Sequence, residues 1–446
     1  MKILCVSLGC DKNLVDTEMM LGLLNRDGHT FTDDENEADI IVVNTCCFIN
    51  DAKEESVNTI LEMAELKKTG KCKALIVTGC MAQRYKQEIL DEIPEVDGIL
   101  GTSTYDEISN VLKQALGGEE HISCFHDLNA LPEVETERVI TTGGYYAFLK
   151  IAEGCDKHCT YCIIPSLRGN YRSVPMERLL KEANQLADQG VRELILVAQE
   201  TTLYGVDLYG KKMLPELLHK LAEIPGIYWI RIQYCYPEEI TDELIEAIRT
   251  EGKVCHYLDV PIQHASDRIL KRMGRRTNQA QLREIIGKLR AAVPDIALRT
   301  TMIAGFPGET QEDHEEVMRF VDEMEFERLG VFTYSAEEDT PAATFPDQIP
   351  EEVKEERRDE IMELQQEIAF EKSESMVGRV LDVMIEGKVA DEAAYVGRTY
   401  MDAPNVDGYI FVNSGELFMS GDFVRVKVTG SNDYDLIGEV YDESAE

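Results

Sequence analysis

The sequence predicts an α/β protein with three parts: an N-terminal parallel α/β sheet domain (1–116), a central partial barrel of βα units (141–371) and a small antiparallel β-barrel (374–446). Three observations support this prediction. Apolar runs alternate with helical patterns at the start of the chain, the alternation resumes after a predicted linker at 117–140, and it stops near residue 376, where short strands follow one another. Alternating strands and helices are typical of parallel sheets.

The N-terminal part contains four buried-type strand candidates, KILCVSL, ADIIVVN, KALIVTG and VDGILGT. Helical patterns separate them, in VDTEMMLGLLNRDG, DAKEESVNTILEMAELKKTG and QRYKQEILDEI. Strands that are apolar along their whole length suit a parallel sheet covered by helices on both faces. We therefore expect an open α/β sheet here.

The central part contains six strand candidates, YYAFLKIAE, ELILVAQE, WIRIQYCYP, HYLDVPIQH, IALRTTMIAGFPGE and LGVFTYSAEE. With helices between them, six βα units predict a complete or partial parallel barrel whose site lies in the loops after the strands. A long charged helix follows, EEVKEERRDEIMELQQEIAFEKSES, with Ile361, Leu364 and Ile368 on one face. We interpret it as a connector.

The C-terminal part contains five short strand candidates, VLDVMIEG, AAYVGRTY, GYIFVN, FVRVKVTG and DLIGEVYD, split by Gly, Asn and Asp. This pattern predicts a small antiparallel barrel, which is more often a binding module than a catalytic one.

The hydropathy, cysteine number and net charge of the chain limit its location, chemistry and partners. No run approaches the roughly 18 apolar residues of a membrane helix, and the N-terminus is typical of a strand rather than a signal peptide, so we expect a cytoplasmic protein without a membrane partner. Twelve cysteines in a reducing compartment indicate metal or redox chemistry rather than disulfides. The 84 acidic and 45 basic residues give a net charge of −39, which disfavours direct RNA binding and favours a basic partner.

The tetrapeptide GCDK occurs twice, and its second copy continues as GCDKHCTYC. We call its cysteines, Cys155, Cys159 and Cys162, the loop set. A structural zinc needs four ligands, and His158 would have to be the fourth from inside the same loop. A 4Fe-4S cluster held by three cysteines instead leaves one iron open for a small molecule, which is the reading we favour.

The first copy of GCDK places Cys10 just after a predicted strand, and Cys46 and Cys80 follow the next two strands in the same way. We call these three the sheet set. The ends of parallel strands face one crevice, so these thiols are expected to converge. The alternative is that they are buried apolar residues, as we expect for Cys5, Cys72, Cys124, Cys235 and Cys255, and Cys47 competes with its neighbour Cys46.

At the loop set, with the βα series behind it, the chain resembles the radical S-adenosylmethionine (SAM) superfamily. The resemblance implies that SAM chelates the open iron and is cleaved to a 5'-deoxyadenosyl radical. It also implies SAM contacts at strand ends, for which packing within the barrel remains an alternative. The candidates are Tyr161, Gln199, Arg299, the turn from Gly305 to Glu309, and Tyr334.

The whole chain resembles the methylthiotransferases. This resemblance implies that the sheet set binds a second 4Fe-4S cluster, which carries the sulfur, that another SAM methylates it, and that the small barrel is a TRAM domain helping to hold the substrate. The cofactors would be two 4Fe-4S clusters and SAM. A low-potential electron donor such as flavodoxin or ferredoxin would be a partner. Beyond the cluster ligands, no general base or other catalytic residue stands out.

Family members modify either an adenosine of transfer RNA, in the MiaB group, or the β-carbon of an aspartate in small-subunit ribosomal protein twelve, in the RimO group. The stretches SLGCDKNLVDTE, NTCCFINDAKEES, VAQETTLYG and GRTYMDAPNVDGYIFV resemble the RimO group, although a small residue is usual there at the position of Cys47. Residues 376–446 hold fourteen acidic and five basic residues, which also favours a basic protein substrate. The alternatives are a transfer RNA enzyme and a non-catalytic iron–sulfur scaffold.

Overall fold

The structure is a computed structural model that describes residues 1–134 and 137–442. Two residues of the predicted linker 117–140 and the last four of the predicted barrel 374–446 lie outside these ranges. Within the described residues, no helix is both long and apolar enough to cross a membrane.

The N-terminal part is a six-stranded parallel sheet in the order β2-β1-β3-β4-β5-β6. The central strands β3 and β4 are buried at every position, as expected for a sheet covered on both faces. The elements are β1 (Lys2–Ser7), α1 (Asp11–Arg26), β2 (Thr30–Phe31), β3 (Ile40–Thr45), α2 (Asn50–Thr69), β4 (Ala74–Gly79), α3 (Cys80–Tyr85), α4 (Gln87–Glu92), β5 (Gly98–Leu100), α5 (Ile108–Leu116) and β6 (Ile122–Cys124).

Two details of this sheet differ from the sequence prediction. The edge strands β2 and β6 are two and three residues long, too short to show a pattern, and β6 falls inside the predicted linker. The helix predicted in QRYKQEILDEI is divided into α3 and α4 because Lys86 takes a left-handed backbone conformation with φ +43°. Such a conformation interrupts a helix.

The central part is a six-stranded parallel sheet in the order β7-β10-β11-β12-β13-β14. Its end strands β7 and β14 do not pair with each other in the described chain, so the barrel is partial, as predicted. The elements are β7 (Tyr146–Lys150), β8 (Ala152–Glu153), α6 (Ile164–Arg168), β9 (Arg172–Ser173), α7 (Met176–Asp188), β10 (Glu193–Val197), α8 (Val206–Tyr209), α9 (Leu214–Ala222), β11 (Trp229–Ile232), α10 (Asp242–Thr250), β12 (Val254–Asp259), α11 (Asp267–Arg272), α12 (Gln279–Ala292), β13 (Ala297–Ala304), α13 (Gln311–Met324), β14 (Arg328–Thr333) and α14 (Glu351–Ser375).

The long helix α14 does more than connect domains. Ile361 and Ile368 are buried in the main core of the barrel, with Leu364 packed against it. Gln365 donates a hydrogen bond to the Phe326 carbonyl at 2.8 Å. The helix therefore covers the barrel beside β14.

The C-terminal part is a closed five-stranded barrel of β15 (Val380–Lys388), β16 (Ala394–Arg398), β17 (Ile410–Asn413), β18 (Phe423–Asn432) and β19 (Asp435–Val440). It docks where the central strands begin. Glu193, the first residue of β10, bonds Arg398 and Arg231 at 2.7 Å each, and all three side chains are fully buried. The small barrel thus lies at the amino ends of the central strands, opposite to the carboxyl ends of those strands.

Candidate functional site

The loop set lies directly after β8, in the segment that leads to α6. Gly154 starts this segment with φ +78°, and a Cβ there would lie 2.1 Å from the Asn170 carbonyl oxygen, so only glycine fits. Cys155 and Cys159 are buried and Cys162 is half-buried. Their thiols interact electrostatically with one another, which means that one short loop gathers all three.

Burial disfavours the ionised, thiolate form of the loop-set cysteines. It raises the pKa of Cys155 to about 11, with Cys159 adding to the effect, and it raises the pKa of Cys162 to about 12, with Cys159 and Cys155 adding to it. Buried anionic thiolates need a cationic partner, and iron of a bound cluster would provide it, because metal ligation deprotonates thiols.

A second ring of side chains supports the loop set. The Tyr236 hydroxyl lies 3.5 Å from the Cys159 sulfur. The buried guanidinium of Arg275 lies 4.3 Å from the centre of the Tyr236 ring and donates to the Pro261 carbonyl at 2.8 Å. Arg275 also interacts with Cys159. Neither residue was predicted, since each is far from the cysteines in sequence.

The sheet set lies at the ends of three neighbouring strands. Cys10 precedes α1 after β1, Cys46 follows β3, and Cys80 begins α3 directly after β4. Gly9 allows their approach: a Cβ there would lie 2.6 Å from the Cys46 Cβ and 2.9 Å from its sulfur. Burial, together with the neighbouring thiols of Cys80 and Cys10, raises the pKa of the Cys46 thiol to about 12. The three thiols therefore lie close to one another, as expected from the positions of their strands.

Cys47 lies beside the sheet set, in the same buried cluster as Cys80. Its side chain is fully buried in the apolar cluster on one face of the sheet. Its carbonyl accepts a hydrogen bond from Arg84 at 3.4 Å, and its thiol interacts with Cys80 and Cys46. Ser56 bonds both the backbone N–H and the carbonyl of Cys46, at 3.1 and 2.8 Å. The Cys46 thiol interacts with both Cys80 and Cys10, whereas the thiols that act on Cys47 are those of Cys80 and Cys46, and this difference favours Cys46 as the ligand.

Arg168 lies beside the sheet set. It ends α6, six residues after Cys162, and its buried guanidinium bonds Asp16 at 2.8 Å, Glu153 at 3.2 Å and the side chain of Asn13. Although burial opposes its charge, Glu153, Cys80, Asp16 and Cys10 raise the pKa of Arg168. This residue was not predicted from the sequence, although it interacts with the sheet-set thiols of Cys80 and Cys10.

Three predicted SAM contacts surround one aromatic ring. The rings of Tyr161 and Tyr334 lie 6.4 and 5.3 Å from that of Phe306, both edge to face. Gly305 precedes Phe306, and its N–H donates to the Glu309 carboxylate at 2.9 Å. The Tyr334 hydroxyl is buried without a hydrogen-bond partner among the described residues, so it is available to a ligand.

Two further acceptors lack partners. Gln199 donates to Glu153 at 3.0 Å, while its carbonyl oxygen is buried and unpaired in the described chain. Its neighbour Glu200 bonds Thr202 through one oxygen and leaves the other buried and unpaired. Burial raises the pKa of Glu200 to about 7, opposed by Thr202 and Lys157. Glu200 was not predicted and is a candidate to receive a cationic ligand group near Cys155.

Arg299 lies away from the other predicted SAM contacts. It lies near the start of β13, about 20 Å along the chain from Gly305 at strand spacing. Its guanidinium pairs with Asp259 and with Asp407, each at 3.4 Å, and Asp407 belongs to the C-terminal part. The structure therefore does not group Arg299 with the aromatic cluster around Phe306.

The residues present fit iron–sulfur clusters. Across residues 1–134 and 137–442, no three His, Cys, Asp or Glu side chains are placed to hold a single metal ion, and His158 is exposed. In a 4Fe-4S cluster each thiolate binds a different iron, so its ligands lie further apart. Each set supplies three thiols, and each has a buried arginine beside it.

Comparison with known proteins identifies the three parts. Family models match at residues 2–101 (Uncharacterized protein family UPF0004), 149–321 (Radical SAM superfamily) and 377–440 (TRAM domain). Among solved structures, the radical SAM methyltransferase TsrM from Kitasatospora setae, with cobalamin and a [4Fe-4S] cluster bound, is 14% identical with a TM-score of 0.54, each chain being covered to 76%. That likeness concerns the fold alone.

Two full-length relatives are far more similar in sequence. The ribosomal protein uS12 methylthiotransferase RimO of Lachnoclostridium phytofermentans is 68% identical over 98% of this chain and 99% of its own. The protein of the same name from Acetivibrio thermocellus is 52% identical over 100% of this chain and 99% of its own. The chain therefore belongs to the RimO family of ribosomal protein uS12 methylthiotransferases, within the radical SAM superfamily.

Proposed function

We propose that this chain replaces a hydrogen on the β-carbon of an aspartate in ribosomal protein uS12 with a methylthio group, using SAM and two 4Fe-4S clusters. The loop set would bind one cluster and the sheet set the other. The observation that carries the proposal is the presence of two groups of three free thiols, one in a single loop and one at the ends of three neighbouring strands, in a chain 68% identical to a RimO protein.

Around the loop set, the chain's own residues would bind and orient SAM. The cluster there supplies the electron that cleaves SAM and, through its open iron, a point of attachment. Tyr161, Phe306 and Tyr334 form an apolar wall that excludes water. The unpaired oxygens of Gln199 and Glu200 are suited to accept hydrogen bonds from the ammonium group of SAM.

Around the sheet set, the chain's residues would hold three thiolates in a partly buried crevice. A cluster there supplies a sulfur-rich centre from which a methylthio group can be delivered. Arg168 offsets part of the negative charge of the thiolates, and Asn13 fixes the local backbone, donating to the Leu8 and Thr45 carbonyls at 3.0 and 2.9 Å. The opening lies at Cys10, the exposed member of the set.

Charge supports a basic protein substrate. The chain carries a net charge of −39, and its C-terminal barrel segment is acidic, so it attracts a basic ribosomal protein and repels bare nucleic acid. A low-potential carrier such as flavodoxin or ferredoxin would supply the electrons. A transfer RNA substrate is the second candidate, and nothing in the charge distribution of the small barrel favours it.

The test is product mass. The reconstituted protein, SAM, a reductant and a sulfide source are incubated with purified uS12 and, separately, with unmodified transfer RNA. We expect one methylthio group on an aspartate of uS12 and no change in the nucleosides. A variant with all three loop-set cysteines changed to Ala is the control. A methylthio group on adenosine would overturn the proposal in favour of the second candidate.

A further inference from the structure

A short basic segment packs against the loop set. Residues 268–276, RILKRMGRR, contain five Lys or Arg and no carboxylate, in a chain with 84 acidic and 45 basic residues. They form most of α11 and the turn after it. Lys271 and Arg276 are exposed. We call the four residues Arg268, Lys271, Arg272 and Arg276 the basic patch.

The basic patch is joined to the cysteine loop by backbone contacts. The Thr160 N–H donates to the Met273 carbonyl at 2.9 Å, and the Thr160 hydroxyl donates to the Arg272 carbonyl at 3.0 Å. Thr160 directly follows Cys159. The same segment sends Arg275 inward to Cys159 and Cys162. The route from this surface to the loop set is therefore only a few residues long.

The charges of the patch are only partly neutralised by the protein. Arg268 pairs with Asp313 and is half exposed, and Arg272 has a 3.6 Å contact with Asp347. Among the described residues, Lys271 and Arg276 have no ion-pair partner. A group of partly unpaired cations on an acidic protein is a surface suited to an acidic partner.

We propose that the basic patch docks an acidic one-electron carrier protein, with a flavin or iron–sulfur group, that reduces the cluster of the loop set. This inference rests on the proposed function, which needs an electron at that cluster. One electron leaves the carrier and enters the cluster, and no bond or proton changes place. A contact of this kind is small and short-lived, below about 1,200 Å².

The acidity of the rest of the chain does not prevent such docking. At physiological ionic strength the Debye length is about 8 Å, so carboxylates far from the patch are screened from the carrier. Cations within the contact act at shorter range and orient the partner. The distribution of charge thus favours binding of an acidic carrier at the basic patch.

The experiment compares two reductants and two charge-reversal variants of the reconstituted protein. Lys271→Glu with Arg276→Glu alters the patch. Lys181→Glu with Lys388→Glu, at exposed positions in α7 and β15, makes the same change in net charge elsewhere. Stopped-flow bleaching of the cluster absorption is followed with flavodoxin hydroquinone and with dithionite, a small reductant that needs no docking.

We expect the patch variant to be reduced by flavodoxin at least about 10-fold more slowly than the control variant, and both to be reduced equally by dithionite. Equal rates with flavodoxin, or equal slowing by both reductants, would overturn the proposal. It would also be overturned if the patch variant lost binding to a ribosomal RNA fragment while flavodoxin reduction was unchanged. Methylthio transfer to uS12 driven by dithionite reports on the proposed function separately.

Discussion

The loop set and the sheet set each contain three thiols, but they are assembled differently. The loop set spans eight residues of one segment, whereas the members of the sheet set are 36 and 34 residues apart and meet because β1, β3 and β4 are neighbours in the sheet. Each set has one buried arginine beside it, Arg275 or Arg168. The three thiols of the loop set are therefore brought together by the local backbone, whereas those of the sheet set are brought together by the fold of a whole domain.

The largest effect separates the chemistry of the two sets. Changing Cys10 to Ala should abolish methylthio transfer, because it removes a ligand of the sheet set only. Formation of 5'-deoxyadenosine from SAM should remain measurable by chromatography, since the loop set is intact. Loss of both activities in Cys10→Ala would mean that the two sets do not act separately.

The next effect concerns the buried ion pairs that join the central sheet to the small barrel. Glu193→Gln should lower the free energy of unfolding by about 3–5 kcal/mol, because it leaves Arg231 and Arg398 buried without their carboxylate. Thermal or urea unfolding measures the change. The exposed variant Glu246→Gln, which loses only a surface pair with Arg249, is the matched control and should change stability little.

The same carboxylate predicts a pH dependence. Burial opposes its charge, but Arg398 and Arg231 lower the pKa of Glu193 below its ordinary value of 4.5. The ion pairs of Glu193 therefore stabilise the folded protein above pH 4.5, and this stabilisation is lost as the pH falls below 4.5. The difference in unfolding free energy between wild type and Glu193→Gln should shrink in acid, and a constant difference would contradict this assignment.

A smaller effect tests whether Arg168 supports iron binding by the sheet set and Arg275 supports iron binding by the loop set. Arg168→Gln should weaken iron binding by the sheet set about 10–100-fold, as loss of a supporting partner does at metal sites, and Arg275→Gln should do the same to the loop set. Arg168→Lys keeps the charge but not the forked geometry, so partial recovery is expected. Iron content and electron paramagnetic resonance spectra of the reduced proteins distinguish the two cases.

The smallest effect concerns Cys47. Cys47→Ala removes one buried sulfur from an apolar cluster and should cost roughly 1 kcal/mol of stability with no loss of iron. Cys46→Ala, one residue away, should lose the iron of the sheet set. If Cys47→Ala loses that iron and Cys46→Ala keeps it, the two assignments must be exchanged.

The sequence predicted the fold class well because its signals are strong. Six βα repeats and five short strands gave the partial barrel and the closed small barrel, and the resemblance to the RimO group is confirmed by the relatives. The short strands β2 and β6 were missed because two or three residues carry no periodic pattern. The domain boundaries and the cluster ligands stay predictions.

The site was predicted in outline only. The cysteines stood out because thiols after predicted strands are easy to see. Arg168, Arg275 and Glu200 did not, because their importance arises from burial and from partners far away in sequence. Arg299 was predicted to be a SAM contact at a strand end because of the resemblance to the radical SAM superfamily, and the structure shows that it pairs with Asp259 and Asp407.

Whether the two sets bind separate clusters is measured by the anaerobic iron and acid-labile sulfide content of three proteins: wild type, a variant with the loop set changed to Ala, and one with the sheet set changed to Ala. Two independent clusters predict about eight irons in the wild type and about four in each variant. About four irons in the wild type and in the sheet-set variant, with none in the loop-set variant, would contradict the claim that the sheet set binds a cluster.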